Sequence, residues 1–264
     1  MIPRDYITEW RTEAPWVEDA QVEQDLVISR ALVDIFSDPL LQSSLAFRGG
    51  TALYKLYLTP AARYSEDIDL VQVEAEAAGP VLDKLHELLD PWLGAPRYKQ
   101  GHGMVTLNYR FDSEDTPPAR LRLKVEINTR EHFAVNGFQE LPFTVTSRWF
   151  NGSCNINTYV LNELLGTKLR ALYQRRKGRD LFDLGIALEH DDVDPDKIVE
   201  TFHAYMKHEG HEVRRKDFQE NLEKKMGNKN FRADIGPLLA SGVECDFDEM
   251  AEHVSESLVS RLSE

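Results

Sequence analysis

The sequence contains few cysteines, no long apolar run and no internal repeat, and each absence excludes a class of protein. Its two cysteines, Cys154 and Cys245, lie far apart and suggest neither a disulfide framework nor a zinc site. No apolar run approaches the roughly 20 residues that span a bilayer, so we expect no membrane partner. The first ten residues lack the apolar stretch of a signal peptide, which makes the protein's expected location cytoplasmic.

Basic residues are also in short supply, because 31 Lys and Arg stand against 45 Asp and Glu and the net charge is −14. A uniformly negative field would repel a nucleic-acid backbone, so RNA could bind only through a local basic patch. The candidate patch comprises Arg170, Arg175, Arg176, Lys177 and Arg179. The alternative is a solvated helix end, which a position near a helix C-terminus also favours.

The 264 residues, 42% of them hydrophobic, suffice for one large domain or two small ones. Apolar periodicity predicts helices over residues 17–36, 51–58 and 81–93. Alternation predicts strands over residues 46–48, 66–73, 104–111, 120–129 and 141–146. From about residue 158 the pattern is mainly helical. We therefore predict two domains, residues 1–152 and 153–264, with the boundary at an Asn-Gly-Ser segment.

The most informative segment is residues 49–70, where a Gly-Gly-Thr turn precedes an Asp-x-Asp strand. Successive strand side chains point to opposite faces, so Asp67 and Asp69 share one face. Two adjacent carboxylates repel each other unless a cation lies between them, and Mg²⁺ holding substrate phosphates is the most common such cation. The backbone N–H groups of Gly49, Gly50 and Thr51 can approach a phosphate at the start of the next helix. The combination predicts metal-assisted nucleotidyl or phosphoryl transfer.

Each motif has a simpler interpretation when it stands alone. Most Gly-Gly-Thr turns only end a strand or begin a helix. A single Asp-x-Asp is also typical of solvated acidic faces and of structural Ca²⁺ loops. Their occurrence together, in this order and within one helix-and-strand unit, favours the catalytic interpretation.

Glu126 is the candidate for a third acid at the metal site. It lies in the middle of the strand predicted over residues 120–129, on the polar face that alternates with buried leucine, valine and isoleucine. The alternative is a surface glutamate paired with Lys124 or Arg122.

Lys168 falls within an apolar helical stripe of the second domain. An ammonium that faces a core needs a partner or a function, because burying it unpaired costs several kcal/mol. The side chain can instead extend to solvent, which is a common outcome. The other interpretation is that it reaches the triphosphate of a bound nucleotide.

Two segments resemble the signature of the AbiEii/AbiGii abortive-infection toxin family: F-R-G-G-T-A-L-Y-K-L at residues 47–56 and R-Y-S-E-D-I-D-L at residues 63–70. The similarity extends upstream through V-E-Q-D-L-V-I-S-R-A-L and downstream through K-L-R-A-L-Y-Q-R-R-K-G-R-D-L-F-D-L. It covers roughly the first two-thirds of the chain. The family pattern often has Ser where this chain has Thr51, which keeps the hydroxyl.

The resemblance implies an α+β fold: a polymerase-β-like nucleotidyltransferase core, with a mixed sheet flanked by helices, and a helical C-terminal domain that contributes Lys and Asp to the active site. It implies a toxin of a toxin–antitoxin or phage-defence system. Such an enzyme uses Mg²⁺ or Mn²⁺ to transfer a nucleoside monophosphate from an NTP to an acceptor. The implied acceptor is the 3′ end of tRNA, whose modification blocks translation, and the implied partner is an antitoxin encoded nearby.

The resemblance and the residue patterns together define the expected site. Asp67, Asp69 and Glu126 are the expected metal ligands and, with Lys168 and Asp183, the expected catalytic residues. The family has an R-D-x-x-D element after the lysine, which favours Asp183 as the active-site aspartate over Asp180. The residues expected to bind nucleotide or phosphate are Gly49, Gly50, Thr51, Arg63, Ser65, Lys168 and Asp180.

Several alternatives stay open at this point. Arg63 can pair with Glu66 rather than bind phosphate, and either Asp180 or Asp183 can simply cap its helix. Ser65 shares the face of Asp67, so phosphorylating it would place negative charge beside the metal site and inhibit the enzyme. The acceptor can be a protein or small-molecule hydroxyl, and a nucleotide-binding module without turnover would carry a similar turn.

Overall fold

The computed structural model describes residues 2–264 and divides the chain into two units. The first unit comprises the described residues up to Phe133 together with Phe138–Tyr159, and the second comprises Ala134–Gly137 and Val160–Glu264. The α+β, polymerase-β-like fold expected from the sequence is confirmed, with a mixed sheet flanked by helices.

A seven-stranded sheet in the order β3-β4-β5-β2-β1-β7-β6 forms the first unit. Its strands are β1 (Leu45–Arg48), β2 (Asp67–Gln72), β3 (Arg97–Gly101), β4 (Met104–Asp112), β5 (Arg120–Asn128), β6 (Phe138–Thr146) and β7 (Asn151–Tyr159). The central strand β2 runs antiparallel to β1 and parallel to β5. Its buried residues alternate with polar ones at its beginning, which gives the sheet one apolar and one polar face there.

The helices of the first unit are α1 (Arg4–Trp10), α2 (Asp19–Phe36), α3 (Pro39–Ser44), α4 (Gly49–Leu56) and α5 (Gly79–Leu93). Helix α2 begins at a capping box in which Glu18 and Gln21 satisfy each other's backbone N–H groups. Most of its residues are buried, and it contacts strands β5, β6 and β7 as well as helices α1, α3 and α5. It is the central helix of this unit.

Strand β7 lies where the sequence predicted a domain boundary. The segment Asn151-Gly152-Ser153 has turn composition, but the structure pairs it antiparallel with β6, from Thr146↔Asn151 to Phe138↔Tyr159. The turn falls earlier, where Ser147 and Phe150 are hydrogen-bonded to each other. The two units therefore divide after Tyr159 rather than at residue 152.

The second unit is helical within the described residues. Its helices are α6 (Leu161–Gln174), α7 (Gly178–Ala187), α8 (Pro195–His208), α9 (Arg215–Met226), α10 (Lys229–Ala233) and α11 (Phe247–Ser257), with short 3₁₀ helices at Gly236–Leu238 and Val259–Arg261. The fully buried carboxylate of Glu163 accepts the backbone N–H groups of Val135 and Asn136 at 2.8 and 2.7 Å. This contact explains why residues 134–137 belong to the helical unit.

None of the helices within residues 2–264 combines the length and apolarity that crossing a bilayer requires.

Candidate active site

The carboxylates of Asp67, Asp69 and Glu126 lie on adjacent strands of the first unit. Strand β2 is parallel to β5 in a register that places Asp69 opposite Glu126 and Asp67 opposite Lys124. Directly opposed residues point to the same face of a sheet. The three acids therefore share the polar face of the sheet, as the alternation in the sequence predicts for Asp67 and Asp69.

Lys124 lies between two of these acids. Its Nζ is 2.8 Å from Asp67 Oδ2 and 2.9 Å from Glu126 Oε2. Although partial burial alone would lower the pKa of Lys124, its hydrogen bonds to the two carboxylates raise it, so the ammonium stays charged. The surface pairing considered for Glu126 thus coexists with its position beside Asp69.

Asp69 lies in an environment that disfavours its charged form. Burial raises the pKa of Asp69, and the charge of Asp67 raises it further, whereas the Arg48 guanidinium opposes the shift. Arg48 is itself paired with Glu131 at 2.5 Å. Burial and the neighbouring carboxylates thus disfavour the charge of Asp69, and a bound cation would offset both effects.

The glycine turn packs directly against Asp69. Gly49 has a φ of +82°, which side-chain-bearing residues rarely adopt, and a Cβ built on it would lie 2.3 Å from Asp69 Oδ2. A Cβ on Gly50 would lie 2.6 Å from the Arg63 guanidinium. Glycine is therefore required at Gly49 so that helix α4 can begin beside the carboxylate, and a side chain at Gly50 would have to displace the Arg63 guanidinium.

We expect Gly49→Ala to destabilise the protein and also to impair catalysis. The strained backbone alone costs about 1–3 kcal/mol, and displacing Asp69 by about 1 Å should lower the transfer rate by on the order of 100-fold. Gly94→Ala is the matched control, because Gly94 has a φ of +76° but nothing within 4 Å of its added Cβ. Denaturant unfolding and the rate of nucleotide transfer measure the two effects. Equal activity of the two variants would contradict the proposed contact with Asp69.

Thr51 and Ser65 connect the turn to the acidic strand. Thr51 Oγ1 donates to the Asp67 carbonyl oxygen at 2.5 Å and lies 2.9 Å from Ser65 Oγ. Both hydroxyls are therefore engaged within the protein, and any phosphate contact of Thr51 falls to its backbone N–H. Arg63 is buried, lies over the Tyr54 ring at 5.0 Å and donates to the Tyr64 carbonyl oxygen.

Lys168, Asp180 and Asp183 form a second charged cluster, inside the helical unit. Lys168 Nζ is 3.3 Å from Asp180 Oδ1 and 2.8 Å from Asp183 Oδ2, and both aspartates are fully buried. Arg175 contacts Asp180 through two nitrogens at 2.7 and 2.8 Å. Burial would raise the pKa of Asp180, but Lys168 and Arg175 outweigh it and hold the pKa below its ordinary value. Both aspartates orient the lysine, and neither caps the helix start.

The basic run considered as an RNA patch is largely neutralised. Arg170 pairs with Glu209 at 3.0 Å, and Arg175 pairs with Asp180. Lys177 and Arg179 both pair with Asp234, at 3.5 and 3.1 Å. These acids come from distant parts of the chain, so the sequence could not show that the cluster is paired.

The donor set of the first unit fits a divalent metal held by two carboxylates. Asp67 Oδ1 is buried without a hydrogen-bond partner among the described residues, and the residue shares a sheet face with Asp69, whose pKa is raised first by burial and then by the charge of Asp67. Within residues 2–264, no three Asp, Glu, His or Cys side chains converge on one ion-binding point. Mg²⁺ is usually bound by one or two carboxylates and completed by substrate phosphates and water, so a two-carboxylate site suits it.

Sequence reasoning missed the contacts that two residues, Lys124 and Arg48, make with the acidic cluster. Lys124 is two residues from Glu126 and was recognised only as its surface partner, although strand parity places it on the same face as the acids. The proximity of Arg48 to Asp69 follows from the β1–β2 register, which places the two residues opposite each other. That register depends on long-range strand pairing, for which the sequence carries no local signal.

Two solved structures that are described as nucleotidyltransferases have similar folds. MenT4, a nucleotidyltransferase toxin from Mycobacterium tuberculosis H37Rv, matches with a TM-score of 0.68 and 16% identity over 100% of this chain and 91% of its own. A putative nucleotidyltransferase from Helicobacter pylori matches with a TM-score of 0.60 and 19% identity, covering 91% of this chain and 94% of its own. No curated protein sequence matches the chain.

A family model, described as nucleotidyl transferase AbiEii toxin of type IV toxin–antitoxin systems, matches residues 30–253. This match spans the glycine turn, the acidic strand and the Lys168 cluster. It covers far more than half of the chain and confirms the resemblance read from the sequence. The chain therefore belongs to the AbiEii nucleotidyltransferase toxin family, and it is a nucleotidyltransferase enzyme.

Proposed function

We propose that this toxin transfers a nucleoside monophosphate from an NTP to the 3′ end of tRNA, releases pyrophosphate and so blocks translation. The reaction uses Mg²⁺ or Mn²⁺ held by Asp67 and Asp69. The observation that carries the proposal is the pair of carboxylates on β2 with the Gly49 turn packed against Asp69. This arrangement places two carboxylates beside the turn that begins helix α4, where a metal ion and a phosphate would bind next to each other.

Each candidate site residue of the first unit has a defined task in this proposal. A metal ion bound at Asp67 and Asp69 would neutralise phosphate charge and stabilise the attacking and leaving oxygens. The backbone N–H groups at the start of α4 bind a phosphate, aided by the helix dipole. Glu126 holds Lys124 against Asp67 and so fixes the position of that carboxylate. Positioning and charge neutralisation account for most of the catalysis in phosphoryl-type transfers.

The helical unit contains an ammonium that is held in one orientation. Lys168 uses contacts to Asp180 and Asp183 to hold one orientation. An ammonium has three N–H donors, so one donor is left for a phosphate oxygen. Lys168 therefore stays a predicted phosphate-binding residue, and the two aspartates are its positioning residues.

The acceptor is tested by incubating the protein with total tRNA, Mg²⁺ and each α-³²P-labelled NTP in turn, beside Asp67→Ala. We expect label on tRNA with the wild type only, and from one preferred NTP. Label on a protein or small molecule instead would show that this molecule, rather than tRNA, is the acceptor. Nucleotide binding without label on any acceptor would indicate a binding module and refute the proposed activity.

The toxin–antitoxin family implies a cognate antitoxin as partner. We propose that its gene lies beside this one and that the system acts in phage defence. Growth arrest on expression of the wild type, relieved by coexpression of the neighbouring gene, tests the pairing. Arrest that persists with Asp67→Ala would show that toxicity is independent of the transfer reaction.

A further inference from the structure

The polar face of strands β3, β4 and β5 carries a group of cations that the sequence does not place together. Pairing aligns Arg97 with Asn108, Asn108 with Lys124, and Lys124 with Asp67. A second row runs from Lys99 through Thr106 and Glu126 to Asp69. Since directly opposed residues share a face, these cations lie on the same face as the candidate metal ligands. Three strand spacings, about 14 Å, separate the edge strand from β2.

A pair of arginines lies beside these two rows. Arg110 on β4 is directly opposite Arg122 on β5, and both side chains are exposed. Like charges directly opposite each other on a sheet are destabilising. Arg122 lies 3.6 Å from Glu66 and 4.0 Å from Asp67, whereas Arg110 has no ion-pair partner among the described residues. An anion lying against Arg110 would offset the repulsion between the two guanidinium groups.

Arg97 and Lys99 are likewise exposed and lack a carboxylate partner within the described part of the chain. In a protein of net charge −14, such cations are expected to find acidic neighbours, as four of the five in the Arg170–Arg179 run do. Lysine and arginine on an edge strand can simply prevent pairing with other chains, and β3 is an edge strand. Arg110 and Arg122 are on interior strands, however, and edge protection does not explain them.

We propose that Arg97, Lys99 and Arg110 bind the phosphate backbone of the RNA acceptor and direct its end toward Asp67 and Asp69. The inference rests on the proposed function and specifies where its acceptor lies. The three cations are spread over strands rather than gathered around one pocket, which suits the repeated phosphates of an extended strand. The contacts are to phosphates and carry no base specificity.

The test is the salt dependence of binding to fluorescein-labelled tRNA, measured by anisotropy with the full-length protein and no NTP. Removing three phosphate contacts in Arg97→Ser/Lys99→Ser/Arg110→Ser should weaken binding by on the order of tenfold to a hundredfold near 0.1 M salt. The slope of log K against log[salt] should become shallower by about 2. A double variant, Arg97→Lys/Arg110→Lys, keeps the charges and should keep the wild-type slope.

The matched control is Lys207→Ser/Lys224→Ser/Lys229→Ser, which changes the net charge by the same amount. These lysines are exposed on the helical unit and also lack ion-pair partners among the described residues. The control should bind tRNA like the wild type. Equal loss in both triple variants would show an effect of total charge and overturn the proposal.

Two further outcomes separate this inference from the proposed function. If the wild type labels tRNA and the triple Ser variant on β3 and β4 binds and labels it equally well, the proposed face is wrong while the transfer reaction stands. If the face binds tRNA as expected but no nucleotide is transferred to it, the face is supported and the proposed reaction fails. Binding of polyglutamate in preference to tRNA would overturn the inference in favour of an acidic protein.

Discussion

Asp67→Asn is expected to abolish nucleotide transfer while leaving the protein folded. Asparagine keeps the shape of the side chain but removes the negative charge that would hold a metal beside Asp69. Losing several kcal/mol of charge stabilisation in the transition state corresponds to a rate loss on the order of 1000-fold. The transfer rate with saturating Mg²⁺ and NTP measures the rate loss, and the melting temperature shows whether the variant stays folded.

Glu140→Gln provides the control for this variant. Glu140 is an exposed carboxylate on β6 of the same sheet, so the variant removes one negative charge without touching the β2 cluster. We expect its rate to stay within about twofold of the wild type, as for other surface substitutions. A rate for Asp67→Asn that also stays near the wild type would refute the assignment of Asp67.

Lys168→Met should cause the largest loss of stability. The variant removes an ammonium that contacts two fully buried carboxylates. Their negative charge is then compensated only by Arg175 and the surrounding groups. Breaking a buried ion pair by removing one partner typically costs about 3–5 kcal/mol. For a chain of this size, such a loss lowers the melting temperature by roughly 6–20 °C. Denaturant unfolding monitored by circular dichroism gives the change in the free energy of unfolding.

A surface lysine and a double variant make this prediction specific. Lys216 pairs with Glu220 at 4.0 Å on an exposed helix surface, so Lys216→Met should change stability by less than about 0.5 kcal/mol. Adding Asp183→Asn to Lys168→Met removes one uncompensated charge and should recover part of the loss. A change below about 1 kcal/mol in Lys168→Met would show that the cluster contributes little to stability.

The sequence predicted those elements whose residues alternate or repeat strongly. The β2 and β5 patterns identified strands, and the shared face of Asp67 and Asp69 followed from parity alone. Strand β3, Arg97–Gly101, was missed because every residue in it is exposed and no apolar alternation marks it. Strand β7 was missed because its first residues have turn composition. Its pairing with β6 outweighs this local preference.

The site shows the same division between local and long-range information. The Gly49 turn and the acidic strand are close in sequence, and their association was predicted. The adjacency of Asp69 and Glu126 depends on parallel pairing across more than fifty intervening residues, so the sequence could only suggest it. The basic run near Arg175 was the most visible cationic feature, yet distant acids neutralise it. The cations of β3 and β4 are dispersed in the sequence, and only the strand register brings them onto one surface.

The measurement that tests the central claim most directly compares α-³²P- and γ-³²P-labelled forms of the preferred NTP in parallel reactions with tRNA and Mg²⁺. Nucleotidyl transfer predicts that the α label alone becomes attached to the acceptor, while the γ label leaves as pyrophosphate. The α label on tRNA and the γ label in pyrophosphate should both disappear when EDTA replaces Mg²⁺, and also in Asp67→Asn. Attachment of the γ label would show phosphoryl rather than nucleotidyl transfer, and α-label transfer that survives in Asp67→Asn would contradict the role of the β2 carboxylates.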